Sequence, residues 1–135
     1  MDDLQRAFDL AKATRAHAYA PYSSFLVGAA VKDGNSGLIY AGCNIENASF
    51  GAGVCAERVA IFRMIAAAEN PAPEFLVVVT DAEPPAVPCA LCLQVLAEFC
   101  PQDFPIHLAN LDGIQRTLTF GELLPEPFQL ESRNG

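Results

Sequence analysis

Two short motifs in this sequence combine residue types that could bind a metal ion and move a proton. Cys89 and Cys92 are separated by two residues and follow Pro88, and Cys55 and Glu57 flank a single alanine. Thiolates are strong zinc ligands, and a carboxylate beside a metal can accept a proton from water. The helices and strands that carry the two motifs decide whether these side chains can reach one site.

The Cys89–Cys92 motif has the features of a helix start. Proline is favoured in the first turn of a helix, and residues three apart lie on the same helix face. Two thiolates on that turn, stabilised by the free N–H groups of the helix, provide half of a tetrahedral zinc site. By themselves the two cysteines also fit a redox-active dithiol or a pair of core residues.

The Cys55–Glu57 motif favours a catalytic zinc site. It lies at a junction between a polar loop and a predicted helix, so a third thiolate could join Cys89 and Cys92. Three protein ligands leave one position open, which is the pattern of catalytic rather than structural zinc sites. Glu57 would then lie beside the open position, where a water molecule needs a proton acceptor.

Arg58 directly follows Glu57 and is predicted to act on the sulfur ligands. One Zn²⁺ ion with three thiolates carries a net charge of about −1, which disfavours the formation of hydroxide. Hydrogen bonds from the guanidinium to the sulfurs would withdraw charge from them. The alternative is an arginine that is solvated on the helix surface.

The remaining cysteines and both histidines are not expected to bind the metal. His17 falls late in the first predicted helix and His107 in a strand, where surface or packing roles are expected. Cys43 ends a predicted strand and Cys100 ends a helix before proline, and we expect both to be small buried residues. Three thiolates remain as the predicted ligand set.

The rest of the chain predicts alternating helices and strands around these motifs. Helices are predicted from the spacing of apolar residues, and strands from short apolar runs that end at turn residues. The predicted helices cover 3–18, 55–69, 89–99 and 121–125, and the predicted strands cover 25–33, 38–43, 74–80, 105–111 and 115–120. This order predicts a single α/β domain over residues 1–135, a three-layer α-β-α sandwich with a mixed five-stranded sheet.

Composition and charge narrow the range of partners. The chain of 135 residues is 52% hydrophobic, but it has no apolar run long enough for a membrane span. Its net charge of −8 and its eight basic residues disfavour a nucleic acid polymer and favour a small-molecule partner. Five cysteines, an odd number, disfavour a disulfide framework, and the acidic N-terminus predicts a cytoplasmic protein without a signal peptide.

Taken together, the two motifs resemble the signature of the zinc nucleoside deaminases in its three-cysteine form. Three further stretches, PYSSFLVGAAV (21–31), NIENASFG (44–51) and ELLPEPF (122–128), are similar to the small homotetrameric cytidine deaminases. The resemblance implies the cytidine deaminase fold and one zinc ion per chain. It implies that the protein converts cytidine and 2′-deoxycytidine to the uridines in pyrimidine salvage, with Glu57 as the proton shuttle. It also implies a homotetramer with shared active sites, which agrees with the nearly all-apolar helix predicted at 55–69.

The same resemblance implies which residues bind the nucleoside. Asn44 and Glu46 match the pair that hydrogen-bonds the ribose 3′-hydroxyl, and Phe25 matches an aromatic residue that packs against the base. The backbone N–H of Ala56 would bind the base carbonyl oxygen. Phe128 matches an aromatic residue that enters the active site of a neighbouring subunit.

Three positions depart from the pattern of that family. Ala90 stands where glycine is common, Leu93 where arginine is usual, and Phe50 where tyrosine is frequent. The loss of a charge at Leu93 leaves open a deaminase of another cytosine nucleoside, such as a blasticidin-type antibiotic. Two other hypotheses are a non-catalytic zinc module that binds a partner and a polynucleotide deaminase, although the acidic charge argues against the latter.

Overall fold

The computed structural model describes residues 2–131 of the chain. Within this range the helices and strands follow one another in the predicted order. They are α1 (Asp3–Arg15), β1 (Gly28–Asp33), β2 (Ile39–Cys43), α2 (Ala56–Ala67), β3 (Pro73–Val79), α3 (Ala90–Ala97), β4 (Pro105–Asn110), β5 (Gly113–Thr119) and α4 (Phe120–Leu123), with a turn of 3-10 helix at Phe50–Ala52. Every element that the sequence predicted is present.

The largest difference from the prediction lies between α1 and β1. The helix ends at Arg15 and the strand begins at Gly28, so both are three residues shorter than predicted at these ends. Tyr19 instead pairs with Ile45, and its backbone N–H donates a hydrogen bond to the Asn44 carbonyl oxygen. The chain between α1 and β1 thus pairs with the distant loop after β2, a tertiary contact that the local apolar pattern does not indicate.

The five strands form one mixed sheet in the order β2-β1-β3-β4-β5. β3 and β4 are parallel, and α3 lies in the connection between them, whereas the other neighbouring pairs are antiparallel. The central strand β3 is buried from Phe75 to Val79, as its continuous apolar run predicted. The mixed five-stranded sheet of the sequence prediction is confirmed.

Helices cover both faces of this sheet and make it the middle one of three layers. On one face, α1 packs through Phe8 and Ala11 against β1, β2 and β3. On the other face, α2, α3 and α4 contribute Ile61, Leu96 and Phe120 to the larger core cluster. Burial of these apolar side chains is the main driving force for the three-layer arrangement.

Two glycines allow the helices to approach the sheet closely. A Cβ atom at Gly28 would lie 2.0 Å from the Ala11 carbonyl oxygen of α1, and a Cβ atom at Gly42 would lie 2.5 Å from the Ala60 nitrogen of α2. No side chain fits at such distances from a backbone atom. The position of α2, and with it the residues that begin this helix, therefore depends on Gly42.

The outer side of α2 carries an apolar side chain that the described part of the chain, residues 2–131, leaves partly exposed. Phe62 is 47% exposed, whereas Ala60 and Ile61 on the inner side are buried. That another subunit covers this outer side, as the apolar helix suggested, stays a prediction. Among residues 2–131, no helix has both the length and the apolar character needed to cross a membrane.

A buried carboxylate joins the β1–β2 turn to the start of β3. Asp33 is 1% exposed. Its Oδ1 accepts hydrogen bonds from the backbone N–H groups of Asn35 (3.2 Å) and Ala72 (2.9 Å), and its Oδ2 accepts from the backbone N–H and the hydroxyl of Ser36 (3.2 and 2.6 Å). These hydrogen bonds, led by the one from Ala72, lower the pKa of Asp33 to about 2.

Replacing Asp33 by asparagine should destabilise the fold in a pH-dependent manner. The folded pKa lies below the unfolded value of 3.8, so the ionised carboxylate stabilises the fold above about pH 4, and this contribution is lost as the pH falls towards about 2. Urea unfolding should give Asp33→Asn a lower free energy of unfolding than the parent at pH 7, with a difference that shrinks over that acid range. Asp103→Asn, at an exposed position, is the matched control. A difference that is independent of pH would contradict this account.

Candidate active site

The three predicted zinc ligands come together where the first turns of α2 and α3 meet. Cys55 is the N-cap residue of α2, Cys89 is the N-cap residue of α3, and Cys92 lies in the first turn of α3. Their sulfur atoms all lie within 4.8 Å of one another, with 3.7 Å between Cys55 and Cys89 and 3.5 Å between Cys89 and Cys92. No second group of three such metal-ligating side chains occurs within residues 2–131.

The spacing of the three sulfurs fits a tetrahedral zinc ion. Sulfur atoms that are bonded to one zinc ion at about 2.3 Å with tetrahedral angles lie about 3.8 Å apart. The sulfur separations of 3.5 and 3.7 Å are close to that value. Three ligands also leave one tetrahedral position for a water or a substrate atom. The donor atoms and their spacing therefore agree with one zinc ion per chain.

Electrostatics at the sulfur cluster favour a bound cation. The hydrogen bond from the Cys92 thiol, assisted by the Arg58 guanidinium, lowers the pKa of Cys55 to about 5. The pKa of Cys92 is raised, first because its thiol shares that hydrogen bond with Cys55 and then because it is buried. One thiolate forms easily, and further thiolates beside it need a positive charge to offset their mutual repulsion.

Arg58 lies against the sulfurs at the distance of a hydrogen bond to sulfur. Its Nη2 is 3.6 Å from the Cys55 sulfur, and this hydrogen bond raises the pKa of the guanidinium further. Its Nε is buried and has no hydrogen-bond partner within residues 2–131. The guanidinium is thus held beside the thiols, and Arg58 is only partly exposed.

Glu57 is buried in the first turn of α2, two residues after Cys55. Only 5% of its surface is exposed, and desolvation raises the pKa of its carboxyl group to about 7, with a smaller contribution from the charge of Cys55. A carboxyl group that titrates near neutral pH can accept a proton and return it under physiological conditions. Both the position and the pKa suit a general acid–base beside the predicted metal ion.

A cavity of about 370 Å³ opens beside the thiols and Glu57. A cavity of this size is in the range of small-molecule binding sites. Its lining includes four of the residues that sequence analysis assigned to nucleoside binding, Phe25, Asn44, Glu46 and Ala56. The structure therefore brings two of the predicted metal ligands, Cys55 and Cys89, the predicted proton acceptor and these four residues to one cavity, and Cys92 is buried behind it in the sulfur cluster.

Asn44 reaches the cavity from the loop after β2 and is held by the segment before β1. Its side-chain amide donates a hydrogen bond to the Phe25 carbonyl oxygen at 2.8 Å and accepts one from the Val27 N–H at 2.9 Å. Asn44 is 9% exposed. The amide thus ties two loops together and has one further donor and one further acceptor site left for a ligand.

Glu46 lies two residues further along the same loop and is also held by hydrogen bonds. Its Oε1 accepts from the backbone N–H groups of Tyr22 at 3.0 Å and Ser23 at 3.1 Å, and its Oε2 accepts from the Ser23 hydroxyl. These hydrogen bonds, led by the one from the Ser23 hydroxyl, lower the pKa of Glu46. The side chain is therefore an ionised acceptor at the edge of the cavity at neutral pH.

The predicted contacts to the base come from Phe25 and Ala56. The Phe25 ring lines the cavity and is 38% exposed, so part of it is free to contact a ligand. Ala56 is the first residue of α2, and a backbone N–H at that position has no acceptor within its own helix. This N–H and the aromatic ring are both available to a planar base.

The cavity lining also includes residues for which the sequence predicted no role, among them Val78, Thr80 and Val87. Val78 lies in β3, and Thr80 follows the last residue of that strand and is 1% exposed. Ligands of α/β proteins bind beyond the carboxyl ends of the strands, so the buried apolar run that ends at Thr80 carried a usable signal. Nothing in the sequence near Val87 indicates its place in the cavity.

Phe128 does not reach the cavity of its own chain. Within the described part of the chain its ring is 72% exposed and is not among the residues that line the cavity. Its backbone carbonyl oxygen instead accepts a hydrogen bond from the Gln94 side chain of α3 at 2.9 Å. The contact with a neighbouring subunit's site stays a prediction.

The three departures from the family pattern lie close to the site. Ala90 is the first residue of α3, Leu93 is 7% exposed and belongs to the core, and Phe50 is 86% exposed and lines the cavity. An aliphatic side chain at Leu93 suits this apolar position because a charge there would have to be desolvated. None of the three provides a sulfur or carboxylate group.

The residues that were not expected to bind metal lie outside the sulfur cluster. His17 is exposed. His107 is half-buried, and its Nδ1 forms a hydrogen bond with the Thr117 hydroxyl at 2.8 Å. Cys43 and Cys100 are only partly buried, although we expected both to be buried. Cys43 is the last residue of β2 and Cys100 lies beyond the end of α3, and both keep some contact with solvent at the margin of the core.

Known proteins that are similar to this chain are cytidine deaminases, which agrees with the metal site predicted here. The profile of the cytidine and deoxycytidylate deaminase zinc-binding region matches residues 1–108. A cytidine deaminase of Halalkalibacterium halodurans is 42% identical over 134 residues, which cover 98% of each chain. A cytidine deaminase of Sporosarcina psychrophila is 42% identical over 129 residues, which cover 96% of this chain and 93% of the relative.

Solved structures of cytidine deaminases are also similar to this chain. The crystal structure of a cytidine deaminase from Burkholderia pseudomallei matches with a TM-score of 0.86 and 41% identity, covering 95% of this chain and 100% of that chain. A cytidine deaminase from Mycobacterium tuberculosis matches with a TM-score of 0.78 and 33% identity, covering 96% and 100%. The predicted family and fold are confirmed: this chain belongs to the cytidine and deoxycytidylate deaminase family that carries the zinc-binding region.

Proposed function

We propose that this protein catalyses the hydrolytic deamination of cytidine and 2′-deoxycytidine. The products are uridine or 2′-deoxyuridine and ammonia. The observation that carries the proposal is a buried carboxyl group, Glu57, beside three convergent thiols in a cavity that Asn44 and Glu46 also line. The cytidine deaminases that are 42% identical over nearly the whole chain support the same reaction.

Cys55, Cys89 and Cys92 would hold the zinc ion, with Arg58 beside them. When bound, the ion supplies a Lewis acid that lowers the pKa of a water molecule in the site. The Arg58 guanidinium offsets negative charge on the Cys55 sulfur, to which it donates a hydrogen bond. The cysteines thus fix where the reaction occurs, and Arg58 adjusts the charge there.

Glu57 moves the two protons of the reaction. It accepts a proton from the attacking water and donates it to N3 of the cytosine ring while the water oxygen bonds to C4. It then transfers the second proton of that oxygen to the amino group, and the C4–N4 bond breaks to release ammonia. A carboxyl group with a pKa near 7 is suited to both transfers.

The remaining cavity residues orient the nucleoside. Asn44 and Glu46 bind the ribose through their free hydrogen-bonding sites, and Phe25 packs against the base. The Ala56 N–H binds the base carbonyl oxygen. Glu46 is an acceptor with a lowered pKa, so it suits a hydroxyl group and repels a phosphate. Nucleosides are therefore favoured over nucleotides and polynucleotides.

We extend the proposal to a cytoplasmic homotetramer in pyrimidine salvage, with active sites shared between subunits. The exposed ring of Phe62 on α2 and the exposed ring of Phe128 support an assembly that covers them. In this proposal the Phe128 ring enters the cavity of a neighbouring subunit and closes it over the base.

The metal content should follow the three cysteines. Purified protein should contain close to one zinc ion per chain, and X-ray absorption should show three sulfur ligands at about 2.3 Å without a histidine nitrogen. Cys89→Ser should lose most of the zinc, whereas Cys43→Ser, which alters a thiol outside the cluster, should retain it. Zinc loss from Cys43→Ser, or a nitrogen ligand, would overturn this ligand set.

Glu57→Gln should abolish proton transfer without removing the metal. The amide keeps the shape of the side chain but cannot accept a proton, so turnover of cytidine should fall by at least about 10²-fold. Ammonia release and zinc content should be measured together, with Glu69→Gln, an exposed glutamate after α2, as the control. Near-normal turnover by a zinc-loaded Glu57→Gln protein would place the proton shuttle elsewhere. A panel of other cytosine nucleosides measures the substrate range in the same assay.

Activity should reappear when two defective proteins with different changes form mixed oligomers. Phe128→Ala should raise KM for cytidine by about 10- to 100-fold, because a buried aromatic contact is lost. Joint unfolding and refolding of Phe128→Ala with Glu57→Gln should restore turnover at low substrate, since some sites then combine an intact Glu57 with a neighbour's Phe128.

Two controls make this mixing experiment decisive. Each variant refolded alone should stay defective, and Leu130→Ala, at a neighbouring position that is 84% exposed, should keep a normal KM. Native mass spectrometry, which resolves the small difference in mass between the two variants, reports whether mixed oligomers have formed. Mixed oligomers without recovered turnover would show that each active site is built from a single chain.

A further inference from the structure

Ser23 joins the two sides of the nucleoside site. Its hydroxyl donates a hydrogen bond to Glu46 Oε2 and accepts one from the backbone N–H of Phe25 at 3.0 Å. We propose that Ser23 is a positioning residue that couples the orientation of the sugar-binding carboxylate of Glu46 to that of the base-packing ring of Phe25. This inference rests on the function proposed above.

The local backbone holds the Ser23 hydroxyl between these two groups. Ser24 adopts a φ of 59°, which is uncommon for a residue other than glycine, and its N–H donates to the Ala20 carbonyl oxygen at 3.0 Å. The turn brings the Ser23 oxygen to the N–H two residues later, which is the pattern of a serine turn. A hydroxyl can donate one hydrogen bond and accept others, so the same oxygen serves both partners.

The hydrogen bonds of Glu46 explain why the hydroxyl matters for a ligand. Among residues 2–131, Oε1 already accepts two backbone N–H groups, from Tyr22 and Ser23, whereas Oε2 accepts only the Ser23 hydroxyl. A carboxylate has about four acceptor sites, so one site remains free on Oε2. A sugar hydroxyl would therefore donate to the oxygen that Ser23 holds, and Ser23 sets the direction of that free site.

The fold does not depend on the Ser23 side chain. Ser23 is exposed, and its removal leaves no buried cavity. The segment after it is held independently by two other side chains: the Asn44 amide bonds to Phe25 and Val27, and the Arg15 Nε donates to the Leu26 carbonyl oxygen at 2.9 Å. Loss of the hydroxyl should therefore change the alignment of the site and leave the stability of the protein nearly unchanged.

The test compares Ser23→Ala with Ser23→Thr in the zinc-loaded, full-length protein. Ser23→Ala should raise KM for cytidine about 10-fold, the loss expected for a hydrogen bond to a charged group, while kcat stays within about 3-fold of the parent. Ser23→Thr keeps the hydroxyl at an exposed position and should restore KM. Both variants should have the melting temperature of the parent.

Ser49→Ala is the matched control, because it removes a hydroxyl from an exposed serine in the β2–α2 loop that makes no capping hydrogen bond to the following 3-10 helix. Its KM should equal that of the parent. In a Glu46→Ala background, the effect of Ser23→Ala on kcat/KM should shrink to less than about 3-fold, because the carboxylate that Ser23 orients is then absent.

The possible outcomes distinguish a failure of the positioning role of Ser23 from a failure of the proposed function. A KM for Ser23→Ala that equals that of Ser49→Ala, in a parent protein that deaminates cytidine, overturns the positioning role and leaves the proposed function intact. An undiminished effect of Ser23→Ala in the Glu46→Ala background, or a lowered melting temperature that Ser23→Thr does not restore, also overturns it. A parent protein that releases no ammonia from cytidine overturns the proposed function and this inference with it.

Discussion

Three thiols can share one metal ion only if the first turns of two helices meet. In this protein Cys55 and Cys89 are the N-cap residues of α2 and α3, so each sulfur lies beside the positive end of its helix. Both helices pack on the same face of the sheet, and Gly42 lets the backbone of α2 come close to β2. The packing of the core therefore fixes the sulfur spacing, and the acid–base chemistry that we propose for Glu57 depends on that packing.

The same helix start gives neighbouring residues different environments. Cys55 keeps contact with the cavity, Glu57 turns into the protein and is desolvated, and Arg58 returns to the sulfurs one helical turn later. Burial raises the pKa of Glu57 to about 7, while hydrogen bonds from Cys92 and Arg58 lower the pKa of Cys55 to about 5. One turn of helix thus provides a proposed metal ligand, a proposed proton carrier and a cation that lies beside the sulfur.

The other side of the cavity is built from two irregular segments. The chain before β1 and the chain after β2 are joined by a few backbone hydrogen bonds, such as the one from the Tyr19 N–H to the Asn44 carbonyl oxygen. The side chains of Asn44 and Glu46 also bond to the backbone of the opposite segment. Both side chains also line the cavity, so the groups proposed to recognise the sugar also hold the site together. The Ser23 hydroxyl bonds to Glu46 and to the Phe25 backbone, and in our proposal it couples the orientation of these two groups.

The sequence by itself determined the order of the elements, because apolar periodicity and turn residues act over a few positions. It also indicated that the three thiols, Glu57 and Arg58 form the candidate site, because their residue types and spacing are a local property of two helix starts. Only the tertiary structure decided the strand order, the early end of α1, the place of Thr80 and Val87 in the cavity, and the contacts of Ser23. These features depend on contacts between residues far apart in the chain, and such contacts form only when the core packs and the polar groups at its edge find partners.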